Sequence, residues 1–220
     1  MMRKKFLFVV PARGGSQRLP GKNIRIFNGK PLIFWTLEQA KRLNNYGNVV
    51  VTSDCNLILK KCSIYKDIIL FKRPKYLSTD KASLIDVVKH LIKKLQFKES
   101  ILLLQPTSPL RRDVDIIKGI KMIDKGAEAV MSQSQLQYNT KKINLNDKNK
   151  NFKPLNKKSI PLYAPNGAFF GATYKWLLKN SSFYVKSVKT YEMPLERSID
   201  IDYEYQFKMA EFFLQKHGIK

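Results

Sequence analysis

The sequence predicts an α/β fold, a largely parallel sheet with helices on both faces. Three observations carry this expectation. Apolar runs of strand length alternate along the chain with longer segments of helical periodicity. The runs Phe6–Val10 and Ile101–Leu104 are continuously apolar, as in strands covered on both faces. Leu84, Val87, Val88, Leu91, Ile92 and Leu95 recur at the i, i+3, i+4 spacing of an amphipathic helix.

In chain order, Phe6–Val10 is the first strand and the glycine-bearing segment Pro11–Asn23 follows it. Pro31–Leu43 reads as a helix, with Leu32, Trp35, Leu37 and Ala40 among its apolar positions. Asn48–Thr52 is a strand, Asn56–Ser63 a short helix and Ile68–Phe71 a third strand. Ser83 is placed to cap the periodic helix, because its hydroxyl can accept from a free amide of the first turn. Ile101–Leu104 stops at Gln105-Pro106, Val114–Asp124 is helical and Ala127–Met131 is a strand.

The rhythm breaks near Ser132. Residues 133–160 are rich in Lys and Asn, and they read as an insertion into a core of 1–132 and 161–220. A β-hairpin arm, with Tyr138–Leu145 and Phe152–Leu155 pairing across NDKNKN, is favoured over a disordered insertion. Beyond it, Asn166–Ala172 is a strand, Tyr174–Lys179 a helix and Tyr184–Val188 a strand. Asp202 then caps a last helix whose Tyr203, Phe207, Ala210 and Leu214 share a face.

The 220 residues suit one domain with an appendage or two small domains. A 44% hydrophobic and 26% charged composition excludes a disordered chain. The formal net charge of +24 favours anionic partners: nucleotides, phosphosugars, nucleic acid or acidic surfaces. Cys55 and Cys62 match neither CxxC nor a zinc quartet, and are expected to be neutral thiols in a reducing cytosol. The opening MMRKKFLFVVPA has the basic-then-apolar look of a signal peptide, but its apolar part is only strand length. No apolar run approaches the roughly 20 residues of a membrane span, so a cytoplasmic protein is expected.

Candidate chemistry gathers at strand ends, where open α/β sheets bind ligands. Gly14 and Gly15 allow close backbone approach, so that successive N–H groups can cradle oxyanions, and Arg13, Arg18 and Lys22 add charge. The loop fits neither Walker A nor GxGxxG spacing, and a basic tight turn is the alternative reading. In LLLQPTSPLRR, Gln105, Thr107, Ser108, Arg111 and Arg112 follow a strand, where a proline-punctuated turn would also suffice. In SIDID, Asp200 and Asp202 flank Ile201 and point to one side of an extended segment, well placed for Mg²⁺. Asp202 alone could be a helix cap; Asp200 could not. His90 and His217 sit in helix patterns and form no nucleophilic constellation. Together these features suggest nucleotidyl transfer. Arg13 and Lys22 would neutralise a triphosphate, and Mg²⁺ on the aspartates would polarise phosphoryl oxygens.

PARGGSQRLPGKN, RPKYLSTDKAS, LLLQPTSPLRR, NGAFF and SIDID occur here in the order seen in acylneuraminate cytidylyltransferases. The chain resembles these CMP-sialic acid synthetases, and their relatives for pseudaminic, legionaminic and other nonulosonic acids, from about Phe6 to Phe213. The resemblance implies a Rossmann-like, three-layer nucleotidyltransferase fold, CTP, Mg²⁺ and a homodimer with exchanged arms. The implied reaction moves CMP from CTP to the anomeric oxygen of a nine-carbon 2-keto sugar acid, releasing pyrophosphate. The family's triphosphate loop maps onto Pro11, Ala12, Arg13, Gly14, Gly15, Ser16, Lys22 and Asn23, and its cytidine side onto Arg73 and Ala82. Its sugar side maps onto Gln105, Lys141, Asn166, Phe170 and an aromatic pair, Phe183 and Tyr184, that closes from the neighbouring subunit. Its metal pair maps onto Asp200 and Asp202. Arg13, Lys22, Asp200 and Asp202 are thereby the expected catalytic set.

Departures from the family pattern are visible. Gln17-Arg18 replaces a common Lys-Gly, Leu84 stands where hydroxyls are frequent, and Phe170 replaces a common Tyr. Asn156, Lys157 and Lys158 occupy a region that tends to carry an arginine. These changes leave CTP in place and bear on which sugar is used. A cytidylyltransferase for an eight-carbon keto-deoxy acid shares the first motif, but the SIDID ending and the aromatic pair favour the nine-carbon class. A nucleic-acid-binding module fits the charge yet lacks any RNP-type, C₂H₂ or recognition-helix pattern. A catalytically dead nucleotide-binding homologue would not be expected to keep Lys22, Asp200 and Asp202.

Overall fold

The computed structural model describes residues 5–79, 82–136 and 161–217. The expected hairpin arm, with Lys141, Ile143, Leu145, Phe152, Leu155, Lys157 and Lys158, lies outside the described residues. The elements run β1 (Phe6–Pro11), β2 (Ile26–Phe27), β3 (Lys30–Pro31), α1 (Leu32–Arg42), β4 (Gly47–Ser53), α2 (Asn56–Cys62), β5 (Ile68–Lys72) and α3 (Leu84–Lys94). They continue with β6 (Ser100–Leu104), α4 (Asp113–Asp124), β7 (Ala129–Leu136), β8 (Leu162–Ala172), α5 (Tyr174–Lys179), β9 (Lys189–Glu192) and α6 (Glu204–His217).

Seven strands form one sheet in the order β5-β4-β1-β6-β8-β7-β9, and β2 and β3 form a separate small hairpin. Every pairing in the large sheet is parallel except those of β8, which is antiparallel to both β6 and β7. Side-chain alternation along β1 builds the two outer layers. Phe6, Phe8 and Val10 pack with Ile33 and Leu37 of α1, Ile58 of α2 and Ile116 and Ile120 of α4. Leu7 and Val9 pack on the other face with Ile85, Val88 and Leu91 of α3 and Trp176 of α5. Ser83 caps α3 as expected, accepting from the Asp86 N–H at 3.2 Å. Among the described residues no helix is long and apolar enough to cross a membrane.

A third cluster lies beyond the strand ends. Leu19, Phe27 and Leu32 pack with Leu110, Ile201, Phe207, Ala210 and Leu214. It clamps the loop after β1, the turn after β6 and the segment before α6 into one assembly.

Several expectations are corrected. β7 runs on to Leu136 and β8 starts at Leu162, with Leu136 opposite Leu162, so residues 133–136 belong to the sheet and not to an arm. The strand expected at Tyr184–Val188 is absent; the ladder begins at Lys189, opposite Val130. Val185 and Val188 suggested a strand, but Val188 N–H donates to Val185 O at 3.1 Å and closes a turn. Asp202 does not cap α6. Gln206 reaches back instead, its Oε1 accepting from the N–H groups of Asp202 at 2.8 Å and Tyr203 at 2.9 Å. Tyr203 is exposed and leaves the shared face to Phe207, Ala210 and Leu214. Both cysteines are free, and burial pushes the Cys62 thiol up to about 12, which keeps it neutral.

Arg111 is not a surface charge. It is 1% exposed, and burial pushes its guanidinium down to about 10, although Asp115 and Asp113 oppose the shift. Its Nε donates to Gln39 Oε1 at 2.8 Å, and Nη1 donates to Ala168 O and to Gln105 O, the latter at 3.4 Å. Nη2 donates to Thr36 Oγ1 at 3.2 Å. One side chain thus joins α1, β8 and the turn after β6. Replacing it with methionine keeps much of the volume but orphans these acceptors, each worth about 1–3 kcal/mol when buried unsatisfied. Arg111→Met is therefore expected to lose at least about 3 kcal/mol of stability. Its urea midpoint is the measurement, and a midpoint equal to wild type contradicts the anchoring role.

Candidate active site

A pocket of about 630 Å³ opens at the carboxyl ends of β1, β5 and β6, where Pro11, Arg73 and Gln105 line it. Its floor is the loop after β1. Ala12, wholly buried, continues the strand pairing by donating to Thr52 O at 3.0 Å. Gly14 N–H donates to Asp54 Oδ1 at 3.0 Å, and Ser16 N–H donates to Gly14 O at 3.1 Å. These two amides therefore bond within the protein in this structure, on either side of Gly15. A Cβ on Gly14 would lie 2.8 Å from Cys55 Cβ, so the glycine serves close packing against α2. The space around Gly15 is open. Gly21, at φ 65°, turns the chain into a single 3₁₀ turn at Lys22–Ile24. Asn23 Nδ2 then donates to Arg13 O at 2.9 Å and folds the loop over.

The far wall comes from the other end of the chain. Lys22 Nζ donates to Ile201 O at 2.6 Å and to Asp202 Oδ1 at 2.9 Å. Arg18 Nη2 donates to Asp202 Oδ2 at 2.6 Å. Ile201 N–H donates to Thr107 O at 2.8 Å, which fixes the extended segment against the turn after β6. Asp200 and Asp202 both face the pocket, as their alternation around Ile201 predicted. Burial pushes the Asp200 carboxyl up, and neighbouring Asp202 adds to this; the Thr107 hydroxyl, Lys22 and Arg18 oppose it. Yet neither Asp200 Oδ1 nor Thr107 Oγ1 makes a well-formed hydrogen bond.

Gly167 explains how Asp200 gets so close to β8. It holds φ at +73°, and a Cβ there would stand 3.0 Å from both Asp200 Oδ2 and Gln105 Nε2. Only a glycine takes this conformation without strain. Gln105 Nε2 in turn donates to Gly167 O at 3.0 Å.

On the opposite wall Arg73 is 5% exposed. Burial pushes its pKa down and Arg13 adds to this, while Asp54 opposes it. Its hydrogen bonds are long, 3.4 Å to Leu77 O and 3.5 Å to Thr52 O, and its Nε has none. Beside it, Leu77, Ala82, Leu84 and Val87 make an apolar surface.

The structure therefore gathers Pro11, Arg13, Ser16, Lys22, Asn23, Arg73, Ala82, Gln105, Asp200 and Asp202 around one cavity. Asn166 does not line it. Its Nδ2 donates to Ser198 Oγ at 2.9 Å, and its Oδ1 accepts from Ala168 N–H at 3.2 Å. Phe170 is buried, with its ring 5.2 Å from that of Phe183. Phe183 is itself a core residue, stacked on Trp176 at 5.4 Å, whereas Tyr184 is 69% exposed. Of the aromatic pair, only Tyr184 reaches outward from the chain. Sequence reasoning treated Arg18 as generic charge, and it missed Gln17, Leu77, Thr79 and Val87 on the lining. The Leu84–Val87 spacing at the start of a capped helix was the available signal for Val87. Among the described residues no group of three or more His, Cys, Asp or Glu could hold a metal ion.

Comparison with known proteins places this arrangement. A family model described as cytidylyltransferase matches residues 7–216. The N-acylneuraminate cytidylyltransferase of Escherichia coli O18:K1:H7 is 33% identical over 98% of this chain, which spans only 53% of that protein. The CMP-N,N'-diacetyllegionaminic acid synthase of Legionella pneumophila is 32% identical, with 96% of this chain and 97% of that protein covered. The pseudaminic acid cytidylyltransferase of Campylobacter jejuni serotype O:2 is 32% identical over 90% of this chain and 91% of that protein. The solved structure of CMP:2-keto-3-deoxy-manno-octonic acid synthetase complexed with CTP superposes with a TM-score of 0.72, covering 97% of this chain and 99% of that one. At 17% identity that likeness speaks for the fold alone. Sequence and fold agree, and the chain belongs to the cytidylyltransferase family.

Proposed function

We propose that the protein transfers CMP from CTP to the anomeric oxygen of a nine-carbon 2-keto sugar acid and releases pyrophosphate. The observation that carries this reading is the meeting, in one cavity, of Arg13, Arg18, Lys22 and Arg73 with the Asp200–Asp202 pair. The names of the 32–33% identical relatives, all sialic-, legionaminic- or pseudaminic-acid enzymes, supply the sugar class.

The anomeric hydroxyl oxygen attacks the α-phosphorus of CTP. A new P–O bond forms, the bond to the bridging oxygen breaks with its electron pair leaving on pyrophosphate, and the hydroxyl proton passes to solvent. Phosphoryl chemistry of this kind needs positioning and charge stabilisation more than covalent participation. Arg13 and Lys22 neutralise the phosphates. Arg73, buried with an unused Nε, holds a carbonyl or phosphate oxygen of the nucleotide, and the Leu77–Ala82–Leu84–Val87 surface takes the face of the base. Gln105 and Tyr184 serve the sugar, joined by Lys141 from the inserted segment. Asn166, Phe170 and Phe183 act on that side through packing and hydrogen bonds that hold β8.

The donor set fits a divalent cation, Mg²⁺ in this reading. Asp200 Oδ1 is buried without a hydrogen bond, and Asp202 stands beside it on the same wall. Two carboxylates leave room for phosphate and water ligands, which is how Mg²⁺ is commonly held. When bound, the ion supplies positive charge to the phosphoryl oxygens. We further place the protein in the cytoplasm, where CTP is made, as a homodimer joined through residues 137–160.

Three outcomes are expected. Asp200→Asn and Asp202→Asn each lower turnover by about 10²-fold or more, as loss of one preorganised electrostatic group does. Asp200→Asn nonetheless melts within a few degrees of wild type without metal, because the charge it removes is penalised by burial and only partly offset by Lys22 and Arg18. Steady-state pyrophosphate release and thermal melts measure both, and near-normal turnover of both variants at limiting Mg²⁺ would falsify the metal assignment.

Next, CTP with Mg²⁺ raises the melting temperature by mass action, about 2.7 kcal/mol of stabilisation at one hundred times Kd. ATP at the same concentration does less. Steeply salt-dependent binding to generic nucleic acid with no CTP effect favours a nucleic-acid-binding protein instead.

Finally, deleting residues 144–153 weakens dimerisation and sugar use more than CTP binding, since the triphosphate loop belongs to one subunit. Sedimentation and sugar KM report this. A monomeric deletion variant with wild-type turnover excludes a partner contribution.

A further inference from the structure

Asp202 carries two cations at once. Its Oδ1 accepts from Lys22 Nζ at 2.9 Å and its Oδ2 from Arg18 Nη2 at 2.6 Å. The two partners are held differently. Lys22 is buried and also donates to Ile201 O at 2.6 Å, so its ammonium is fixed by the backbone. The Arg18 side chain is 52% exposed, and beyond Asp202 its guanidinium leans on the Tyr203 ring, 5.1 Å from the centroid. An exposed ion pair of this kind is worth little and exchanges readily.

The electrostatic consequence concerns metal entry. Asp200 and Asp202 carry two formal negative charges, and Lys22 and Arg18 cancel them. Both oxygens of Asp202 already face positive charge at hydrogen-bond distance. A divalent cation arriving alone would find no net attraction there, and would meet the guanidinium at close range.

We propose that Arg18 is a latch on Asp202, keeping its Oδ2 closed to a divalent cation until a triphosphate draws the guanidinium away. The proposal rests on the reading of Asp200 and Asp202 as the metal pair. Arg18 lines the same cavity as Arg13 and Lys22, so a polyanion bound there lies within its reach. A phosphate offers a guanidinium paired, charge-assisted hydrogen bonds at least as good as those of one carboxylate oxygen. Release of Arg18 then bares Asp202 Oδ2 beside the unpartnered Asp200 Oδ1. Metal affinity is thereby made conditional on the nucleotide. Arg18 is a positioning residue in this role, because it acts through Asp202.

Mn²⁺ is a suitable probe. Its binding is read by electron paramagnetic resonance without nucleotide, and by water-proton relaxation with CTP and no sugar, which separates the ternary complex from Mn²⁺–CTP in solution. Wild-type protein is expected to bind Mn²⁺ weakly alone. Arg18→Gln removes a unit charge within a few ångströms of the ion and binds it about tenfold more tightly. Arg18→Lys, which keeps the charge, stays near wild type. The gain of Arg18→Gln shrinks when CTP is present, because the latch is then already open. If Arg18→Gln binds Mn²⁺ no better than wild type while Asp200→Asn weakens the CTP-bound ion, the latch is overturned and the metal pair stands. If Asp200→Asn changes Mn²⁺ binding in neither state, the metal pair itself is wrong and the latch goes with it. Arg18→Gln keeps a wild-type melting temperature within a few degrees, since the pair it breaks lies at the surface.

Discussion

A lysine ammonium held inside the protein organises the site. Lys22 is 8% exposed, and an ammonium taken from water is tolerated only where carboxylate and carbonyl oxygens replace its hydration shell. Ile201 O and Asp202 supply them across 179 and 180 residues of sequence. The chain can meet this requirement only by bringing the loop after β1 against the segment before α6. The third apolar cluster makes that approach favourable, since Leu19 and Phe27 on one side pack with Ile201 and Phe207 on the other. Arg25 repeats the link at the surface, where Nη1 and Nη2 meet both oxygens of Glu204 at 2.5 and 2.7 Å. The cavity is what remains between two segments joined at their base.

Scarce acids are placed with matching economy. The sequence holds 17 acidic residues against 41 basic ones, yet several acids sit at the most constrained points. Asp54 fixes the Gly14 amide. Asp115, fully buried at the start of α4, accepts from the Arg112 N–H at 2.8 Å, from Arg197 at 2.7 Å and from the Tyr191 hydroxyl at 3.1 Å. It thereby ties α4 to β9 and to the chain leading into Asp200. Most lysines among the described residues, by contrast, are exposed or half-buried, and their excess raises the potential over the surface without shaping the cavity.

How much of this was legible follows from the range of each interaction. Elements set by local periodicity or capping, such as α3 with Ser83 and the strand Ile101–Leu104, were readable because their causes lie within a few residues. Where a distant partner decides, the reading failed. Val185 and Val188 have strand-like side chains, but Phe183 is drawn beneath Trp176 and the backbone turns first. Asp202 has the composition of a helix cap, but Lys22 and Arg18 occupy its oxygens and Gln206 serves the amides. Arg111 and Arg112 look alike in sequence, and only the packing of α1 against β8 shows that Arg111 is internal. The motifs converge on one cavity because backbone topology puts strand ends together. They did not distinguish residues that line it from residues, such as Asn166 and Phe183, that hold it up.

The distribution of unsatisfied polar atoms completes the reading. Among the described residues, four buried side-chain atoms lack a hydrogen bond: Thr52 Oγ1, Arg73 Nε, Thr107 Oγ1 and Asp200 Oδ1. Three of these belong to residues that line the cavity. Each such group costs about 1–3 kcal/mol relative to a satisfied one, and random imperfection would have no reason to collect them on opposite walls of one pocket. Their chemistry is also sorted. The buried Arg73 Nε lies on the side of Leu77 and Ala82, and the buried Asp200 and Thr107 oxygens lie together on the side of Gln105 and Ile201. A donor on one wall and acceptors on the other suit a ligand that brings its own acceptors toward Arg73 and a cation toward Asp200. The folded chain thus holds part of its binding energy in reserve, as polar groups desolvated in advance and released from that cost when the ligand arrives.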